Sequence, residues 1–270
     1  MTMEGTLAIL GAGRLGEALL DGLLRSGGVR PEQVRVTVRR EGRAHELAQR
    51  YGVRADTDSA AAAAEADVVV IAVKPQNVRD LLADIAGKVG DTQTVISFVA
   101  GVPTTVIEGV LGAVPVVRVM SNTPVQVDEA MSVVAPGAHA GAAHVAAAGA
   151  VLGPVGRVIH LAEEHLDAVT ALSGSGPAYF FLLAEAMIDA GILLGLSRDV
   201  STELIIQTMV GSAKMLRDTG RHPVELREAV TSPGGTTISA IRVLEERGVR
   251  AAFLNAIEAA RDRSTQLAKG

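Results

Sequence analysis

The chain lacks cysteine and tryptophan, and its 270 residues include only two Tyr and four Phe, an aromatic share of 2%. Without cysteine it can build no disulfide scaffold, thiolate nucleophile or cysteine-held zinc or iron–sulfur centre. So few aromatics provide no stacking platform for single-stranded nucleic acid. Positive charge is also short: 25 Lys and Arg against 30 Asp and Glu give a formal charge of -5. That excludes a broad field drawing the protein to DNA or an anionic membrane. The histidines His45, His139, His144, His160, His165 and His222 are scattered and show no HExxH spacing. Each reads as a surface or satisfied core residue rather than a catalyst.

A clean membrane-spanning run is missing as well. Val169–Leu196 is the most apolar stretch, but Gly174, Gly176, Pro177, Glu185, Asp189 and Gly191 interrupt it. A spanning helix needs about 20 nearly uninterrupted apolar residues. The stretch is therefore expected to be a buried helix of a soluble protein. Met1–Gly5 places no basic run ahead of Leu7–Leu10. That argues against a signal peptide and for a cytoplasmic protein.

Present in abundance are glycine, at 29 residues, and small aliphatic residues, with apolar types at 48%. In the first 120 residues strand and helix signals alternate. Strands are expected at Thr6–Leu10, Gln33–Val38, Asp67–Val73, Thr94–Val99 and Pro115–Met120. Helices are expected at Arg14–Leu24, Arg43–Tyr51 and Val78–Ile85. This alternation implies an α/β fold of parallel βαβ units, with the sheet covered on both faces. Ala142–Leu152 reads as a helix and Gly156–His160 as one last strand. Thereafter the pattern is helical: Glu163–Leu172, Ala178–Leu194, Arg198–Thr219, Val224–Val230, Thr236–Arg247 and Arg250–Leu267. The expected division is residues 1–162 and 163–270, with no Pro/Ser-rich linker between them.

Gly11-Ala12-Gly13-Arg14-Leu15-Gly16 is a GxGxxG that follows a strand and opens a helix, the context a dinucleotide fingerprint requires. Gly11 permits a tight turn, Gly13 a close approach to pyrophosphate, and Gly16 close helix–strand packing. The helix start adds free N–H groups and partial positive charge. Rossmann-type sites that bind NAD place Asp or Glu at the end of the second strand. This chain has Thr37-Val38-Arg39-Arg40 there. Two guanidiniums suit a 2′-phosphate, hence NADP(H); the alternative is a solvated Arg pair on a loop. Lys74, in Ala72-Val73-Lys74-Pro75 after the third strand, is a candidate cofactor or substrate contact, or an ordinary surface lysine. The small residues of Phe98-Val99-Ala100-Gly101-Val102 would leave room for a flat nicotinamide ring.

Two segments in the helical half are unusual. Leu172-Ser173-Gly174-Ser175-Gly176-Pro177-Ala178 is expected to break a helix and restart it near Pro177. Thr231-Ser232-Pro233-Gly234-Gly235-Thr236-Thr237 stands directly before another helix, so its glycines can expose N–H groups to a carboxylate. A helix start with no ligand is the alternative there.

With these segments, together with Val117–Met120, Asn122-Thr123-Pro124 and Glu225–Leu244, nearly the whole chain resembles the pyrroline-5-carboxylate reductases. The start Ser-Pro-Gly-Gly-Thr-Thr is far more specific than GxGxxG. The resemblance implies a Rossmann-type dinucleotide-binding domain followed by an all-helical dimerisation and substrate domain. It implies interlocked homodimers that assemble further, to a decamer in the largest form, and reduction of a cyclic imine carboxylate to L-proline by NADPH or NADH. Substrate contacts carry over to Ser232, Gly234, Gly235, Thr236 and Thr237, with the Thr237 hydroxyl meeting the ring nitrogen as the catalytic group. Cofactor contacts carry over to Gly11, Ala12, Gly13, Arg14, Leu15, Gly16, Arg39, Arg40, Ser59, Ala72, Val73, Lys74, Pro75, Phe98, Val99, Ala100, Asn122, Thr123 and Pro124. No metal, nucleic-acid or membrane partner is implied.

Three positions depart from the family pattern. Ser59 replaces a common Asn near the adenosine ribose, Val99 a usual Ala, and Ser121 a usual Pro. Val99 is expected to narrow the nicotinamide side. Two other readings are a β-hydroxyacid dehydrogenase-like oxidoreductase and a non-catalytic NADP-binding regulatory protein. The first needs a catalytic Lys on a long helix, and Lys214 has no companion motif. The second leaves Thr231–Thr237 without a purpose.

Overall fold

A computed structural model describes residue 3 and residues 5–269. Met1, Thr2 and Glu4, part of the non-basic N-terminal stretch, lie outside the described residues. The α/β part contains β1 (Leu7–Leu10), α1 (Arg14–Arg25), β2 (Val34–Thr37), α2 (Glu41–Tyr51), β3 (Arg54–Asp56), α3 (Ser59–Ala64), β4 (Val68–Ile71) and α4 (Val78–Ile85). It continues with β5 (Thr94–Ser97), α5 (Thr104–Leu111), β6 (Val116–Met120), β7 (Ala130–Pro136), α6 (Ala142–Leu152) and β8 (Gly156–His160). The helical part contains α7 (Leu166–Val169), α8 (Gly176–Leu193), α9 (Arg198–Thr219), α10 (Pro223–Ala229), α11 (Thr236–Glu246) and α12 (Val249–Lys269). These divide into two compact units. One runs through Ser175 and takes in the chain from Ala260; the other is Gly176–Ala259.

The first unit is built on one eight-stranded sheet in the order β3-β2-β1-β4-β5-β6-β7-β8. The strand order reverses at β1, which pairs in parallel with both β2 and β4. A crevice at the carboxyl ends of β1 and β4 is the usual place for a ligand in such a sheet. Alternate residues of the same strand feed opposite core layers. Leu7 and Ile9 pack with Leu19, Leu20 and Leu23 of α1, whereas Ala8 and Leu10 pack with Ala62, Leu82 and Ile85 of the other face. This two-sided burial explains the near-continuous apolar sequence of β1 and β4. The sheet is not wholly parallel, as the alternation implied, because β7 runs antiparallel to β6.

Two polar clusters tie the frame. Glu163 accepts from the Thr104 amide at 2.8 Å and the Thr104 hydroxyl at 2.7 Å, so it caps α5 from a distance. The same carboxylate pairs with Arg118 on β6 at 3.0 Å. At the start of β1, the Thr6 amide and hydroxyl donate to Asp67 Oδ2 at 2.7 and 2.8 Å. Those two bonds hold the Asp67 carboxyl below its usual range, the backbone bond most strongly.

The second unit corrects one expectation. The Val169–Leu196 stretch was expected to be buried, yet only Gly176 of α8 is buried in the chain, and Phe180, Phe181, Leu182 and Leu193 are exposed. Glu163–Leu193 is long and apolar enough to cross a membrane by length and composition. Inside the unit α8 and α9 approach closely: a Cβ on Gly191 would lie 2.4 Å from Ser201 Oγ. The glycine segment near Ser173 does break the helix as expected, with a bend at Ser175 and a restart that puts Pro177 in the first turn of α8. Thr170–Gly174 is a π turn, in which the Ser175 amide donates to the Thr170 carbonyl at 2.8 Å, and α8 begins at Gly176.

The Asp67 cluster makes stability depend on pH with a definite sign. A carboxyl lowered by folding stabilises fully above its unfolded value of about 4, and the benefit is lost as pH falls through the folded value. Asp67→Asn should flatten this slope. Urea melts of both proteins between about pH 5 and pH 3 should show the wild type losing more stability than the variant; parallel losses would contradict the assignment.

Candidate active site

The loop from β1 into α1 is dictated by sterics at its glycines. Gly11 has φ +99, and a Cβ there would lie 2.7 Å from the Val73 side chain. A Cβ on Gly16 would lie 2.3 Å from the Gly11 carbonyl oxygen, so α1 can approach β1 only without a side chain at this position. Gly13 differs: a Cβ there meets nothing within 4 Å and points into open space. Gly13 supplies no side-chain cap to α1, and the amides of Arg14, Leu15 and Gly16 find no acceptor among the described residues. Backbone donors and the positive end of a 12-residue helix therefore converge on a space that an anion can enter.

That space is a cleft of about 1010 Å³. It brings together Gly11, Ala12, Gly13, Arg14, Arg39, Arg40, Ser59, Ala72, Val73 and Lys74 of the residues expected from sequence. Arg39 and Arg40 are exposed, and neither has an ion pair or side-chain hydrogen bond among the described residues. Ser59 shares a 2.9 Å hydrogen bond with the Thr37 hydroxyl, so its oxygen is fixed at the end of β2. An open floor at Gly13, bare helix amides and two unpaired guanidiniums fit a dinucleotide with an additional phosphate.

Leu15, Gly16, Pro75, Phe98, Val99, Ala100, Asn122, Thr123 and Pro124 are not in the cleft wall. The Val99 side chain is 2% exposed and packed into the core layer with Ile71 and Val102. The Asn122 side chain is already engaged, donating to the Ser173 carbonyl at 3.2 Å and accepting from the Met131 amide at 2.9 Å. Sequence reasoning did not single out Glu17, Thr37, Thr57, Arg43, Asn77, Asp80, Leu81 and Asp84, which also line the cleft. The spacing of Asn77, Asp80, Leu81 and Asp84 by three or four marks one helix face and could have revealed that wall.

The second unit carries the other expected group. Ser232-Pro233-Gly234-Gly235 is a turn closed by the Gly235 amide on the Ser232 carbonyl at 3.1 Å, with Gly234 at φ +67. Pro followed by a residue of positive φ is the demand of a type II turn. Gly235 is the N-cap of α11 and offers no side chain, so the amides of Thr236, Thr237 and Ile238 have no acceptor among the described residues. Thr237 is half-buried and Thr236 exposed, so one hydroxyl is sheltered beside those donors. Lys214, by contrast, is exposed and pairs with Asp218 at 3.8 Å along its own helix. Among the described residues no three metal-ligating side chains cluster.

A doubly wound sheet with a glycine-lined cleft at its switch point, followed by a helical unit, defines the class of Rossmann-type dinucleotide-binding oxidoreductases. The family pattern described as NADP oxidoreductase, coenzyme F420-dependent, matches residues 6–101. The pattern described as pyrroline-5-carboxylate reductase dimerisation matches residues 163–267. A pyrroline-5-carboxylate reductase of Corynebacterium melassecola is 44% identical over 98% of this chain and 99% of its own length. The solved reductase of Coxiella burnetii superposes with a TM-score of 0.92 at 35% identity, over 98% of this chain and 99% of that one. The Plasmodium falciparum enzyme, solved with NADP bound, gives 0.89 at 27% identity over 99% and 100%. The chain belongs to the pyrroline-5-carboxylate reductase family.

The glycines make opposite predictions. Gly13→Val should weaken NADPH binding about tenfold or more with little change in melting temperature, because its side chain enters only the cleft. Gly16→Ala should instead destabilise the fold by about 1–3 kcal/mol, because the clash is with backbone. Fluorescence titration with NADPH and thermal melts of both variants separate the two effects.

Proposed function

We propose that this protein reduces L-1-pyrroline-5-carboxylate to L-proline, the last step of proline biosynthesis, with NADPH in the Gly11–Gly16 cleft. The observation that carries the reading is the uncapped start of α11, whose free amides stand beside the Thr237 hydroxyl. NADPH, when bound, supplies a hydride; NADH can serve in its place. Gly11, Ala12, Gly13, Arg14, Leu15 and Gly16 hold the pyrophosphate by backbone donors and close packing. Arg39 and Arg40 take the 2′-phosphate, and Ser59 the adenosine ribose. Ala72–Pro75, Phe98–Ala100 and Asn122–Pro124 border the nicotinamide half.

The substrate carries its own electrophile, a protonated C=N bond, so the protein need only position and stabilise it. Ser232, Gly234, Gly235 and Thr236 form the carboxylate site at the positive end of α11: the turn of the first three presents the helix start, and the free amide and hydroxyl of Thr236 donate to the carboxylate. Thr237 orients the ring nitrogen as it passes from iminium to amine. Its hydroxyl can both donate and accept, which suits a nitrogen that loses its positive charge as the ring is reduced and its lone pair returns.

The domain division is 1–162 for the dinucleotide and 163–270 for dimerisation and substrate. A second copy covers the exposed Phe180, Phe181, Leu182 and Leu193 of α8, because an apolar face of that kind marks an interaction surface. Dimers with interlocked helical domains assemble further, to a decamer. The protein is cytoplasmic and takes no nucleic acid or membrane partner.

Mixing the protein with NADPH and pyrroline-5-carboxylate should consume NADPH absorbance, and a hydroxyacid control should not. Thr237→Ala should lower kcat/KM by the equivalent of about 1.5–3 kcal/mol while NADPH affinity holds. An unchanged kcat/KM would remove Thr237 from the chemistry.

A further inference from the structure

The cleft contains a carboxylate that the proposed function leaves unexplained. Glu17 lies in the first turn of α1 and lines the cleft that is to receive an anionic cofactor. A bare carboxylate there would repel every phosphate that enters. It is not bare: Arg43, from the first turn of α2, forms an ion pair with it. Tyr51 donates to Glu17 Oε1 at 3.3 Å, and Arg50 approaches the same oxygen at 3.4 Å.

Arg43 also lines the cleft, yet it differs from Arg39 and Arg40. Its guanidinium is committed, reaching Glu46 at 3.0 Å with the nitrogen not used on Glu17. It is therefore poorly placed to act as one more free phosphate receptor. With side-chain exposures of 29% for Arg43 and 21% for Glu17, the pair is sheltered enough that solvent screens it only in part.

We propose that Arg43 is a specificity-determining residue that acts through Glu17. By cancelling most of the Glu17 charge, with the longer and more exposed contact of Arg50 adding less, it opens the cleft to the more highly charged of the two nicotinamide cofactors. Repulsion from an uncancelled carboxylate scales with ligand charge, and NADPH carries one phosphate more than NADH. The inference rests on the cleft being the NADPH site.

Titration of the substrate-free protein with NADPH and NADH tests it. Arg43→Ala should weaken NADPH about tenfold and NADH about threefold or less, the gap closing as salt is added. Glu17→Gln/Arg43→Ala should return NADPH to within about twofold of wild type, because the carboxylate that needed cancelling is gone. Arg43→Lys, which keeps the charge, should retain the preference, and Glu17→Gln alone should bind NADPH at least as tightly as wild type. A folded double variant as weak as Arg43→Ala overturns the inference, as does an equal loss of both cofactors. A folded Glu17→Gln that binds NADPH more weakly overturns it without the other variants. A wild type that binds neither cofactor overturns the reading of the cleft itself; wild-type binding without recovery in the double variant overturns only the role given to Arg43.

Discussion

The geometry of the first unit depends on one steric constraint, the approach of α1 to the end of β1. A side chain at Gly16 would collide with the Gly11 carbonyl, and one at Gly11 with Val73. Two glycines therefore set the position of α1, and α1 in turn sets the direction of its bare amides. The same geometry leaves Gly13 facing open space. Packing and recognition thus come from one short loop, with different glycines carrying each. The positive end of α1 would count for little if the loop were one side chain wider, because the helix-end effect fades within a turn.

The helical unit uses the same physics with a different loop. At α11 the turn Ser232–Gly235 ends in a residue with no side chain to cap the helix, and three first-turn amides are left with no acceptor among the described residues. Most helices use Ser, Thr, Asp or Asn at this position; here glycine keeps the donors available. The unit also exposes more apolar surface than a lone chain would be expected to leave in water, with Phe181 and Leu182 each 67% exposed.

Charge is handled with similar economy. Glu163 joins α5, β6 and the start of the helical stretch through one carboxylate. Arg35 is largely buried and is matched by Asp56 and Glu65, both at 2.9 Å. Paired carboxylates of this kind hold elements together, whereas the guanidiniums of Arg39 and Arg40 have no such partners among the described residues. The contrast between satisfied and unsatisfied cations separates framework from site more clearly than any count of charges.

Periodicity and glycine placement were enough to locate most elements. Val78–Ile85, Ala142–Leu152, Gly156–His160 and Arg198–Thr219 form with the expected limits. The elements that escaped notice have local reasons. β3 is three residues, two of them charged; the first four residues of α5, which follows Pro103, are all β-branched; β7 ends in Pro136. The GxGxxG loop and the Ser-Pro-Gly-Gly-Thr-Thr helix start were legible because their chemistry is carried by contiguous backbone. The cleft walls from α2 and α4 were not, because Arg43, Asp80 and Asp84 are set beside Gly13 only by the crossing of the sheet. Nor could hydropathy tell a helix buried within one chain from one left uncovered, since both require the same residues. The amino-acid sequence by itself determined the α/β alternation, the glycine turns and the two uncapped helix starts. Only the tertiary structure decided which charges are paired, which side chains reach the cleft, and which apolar faces are still exposed, because those depend on distances between residues far apart in the chain.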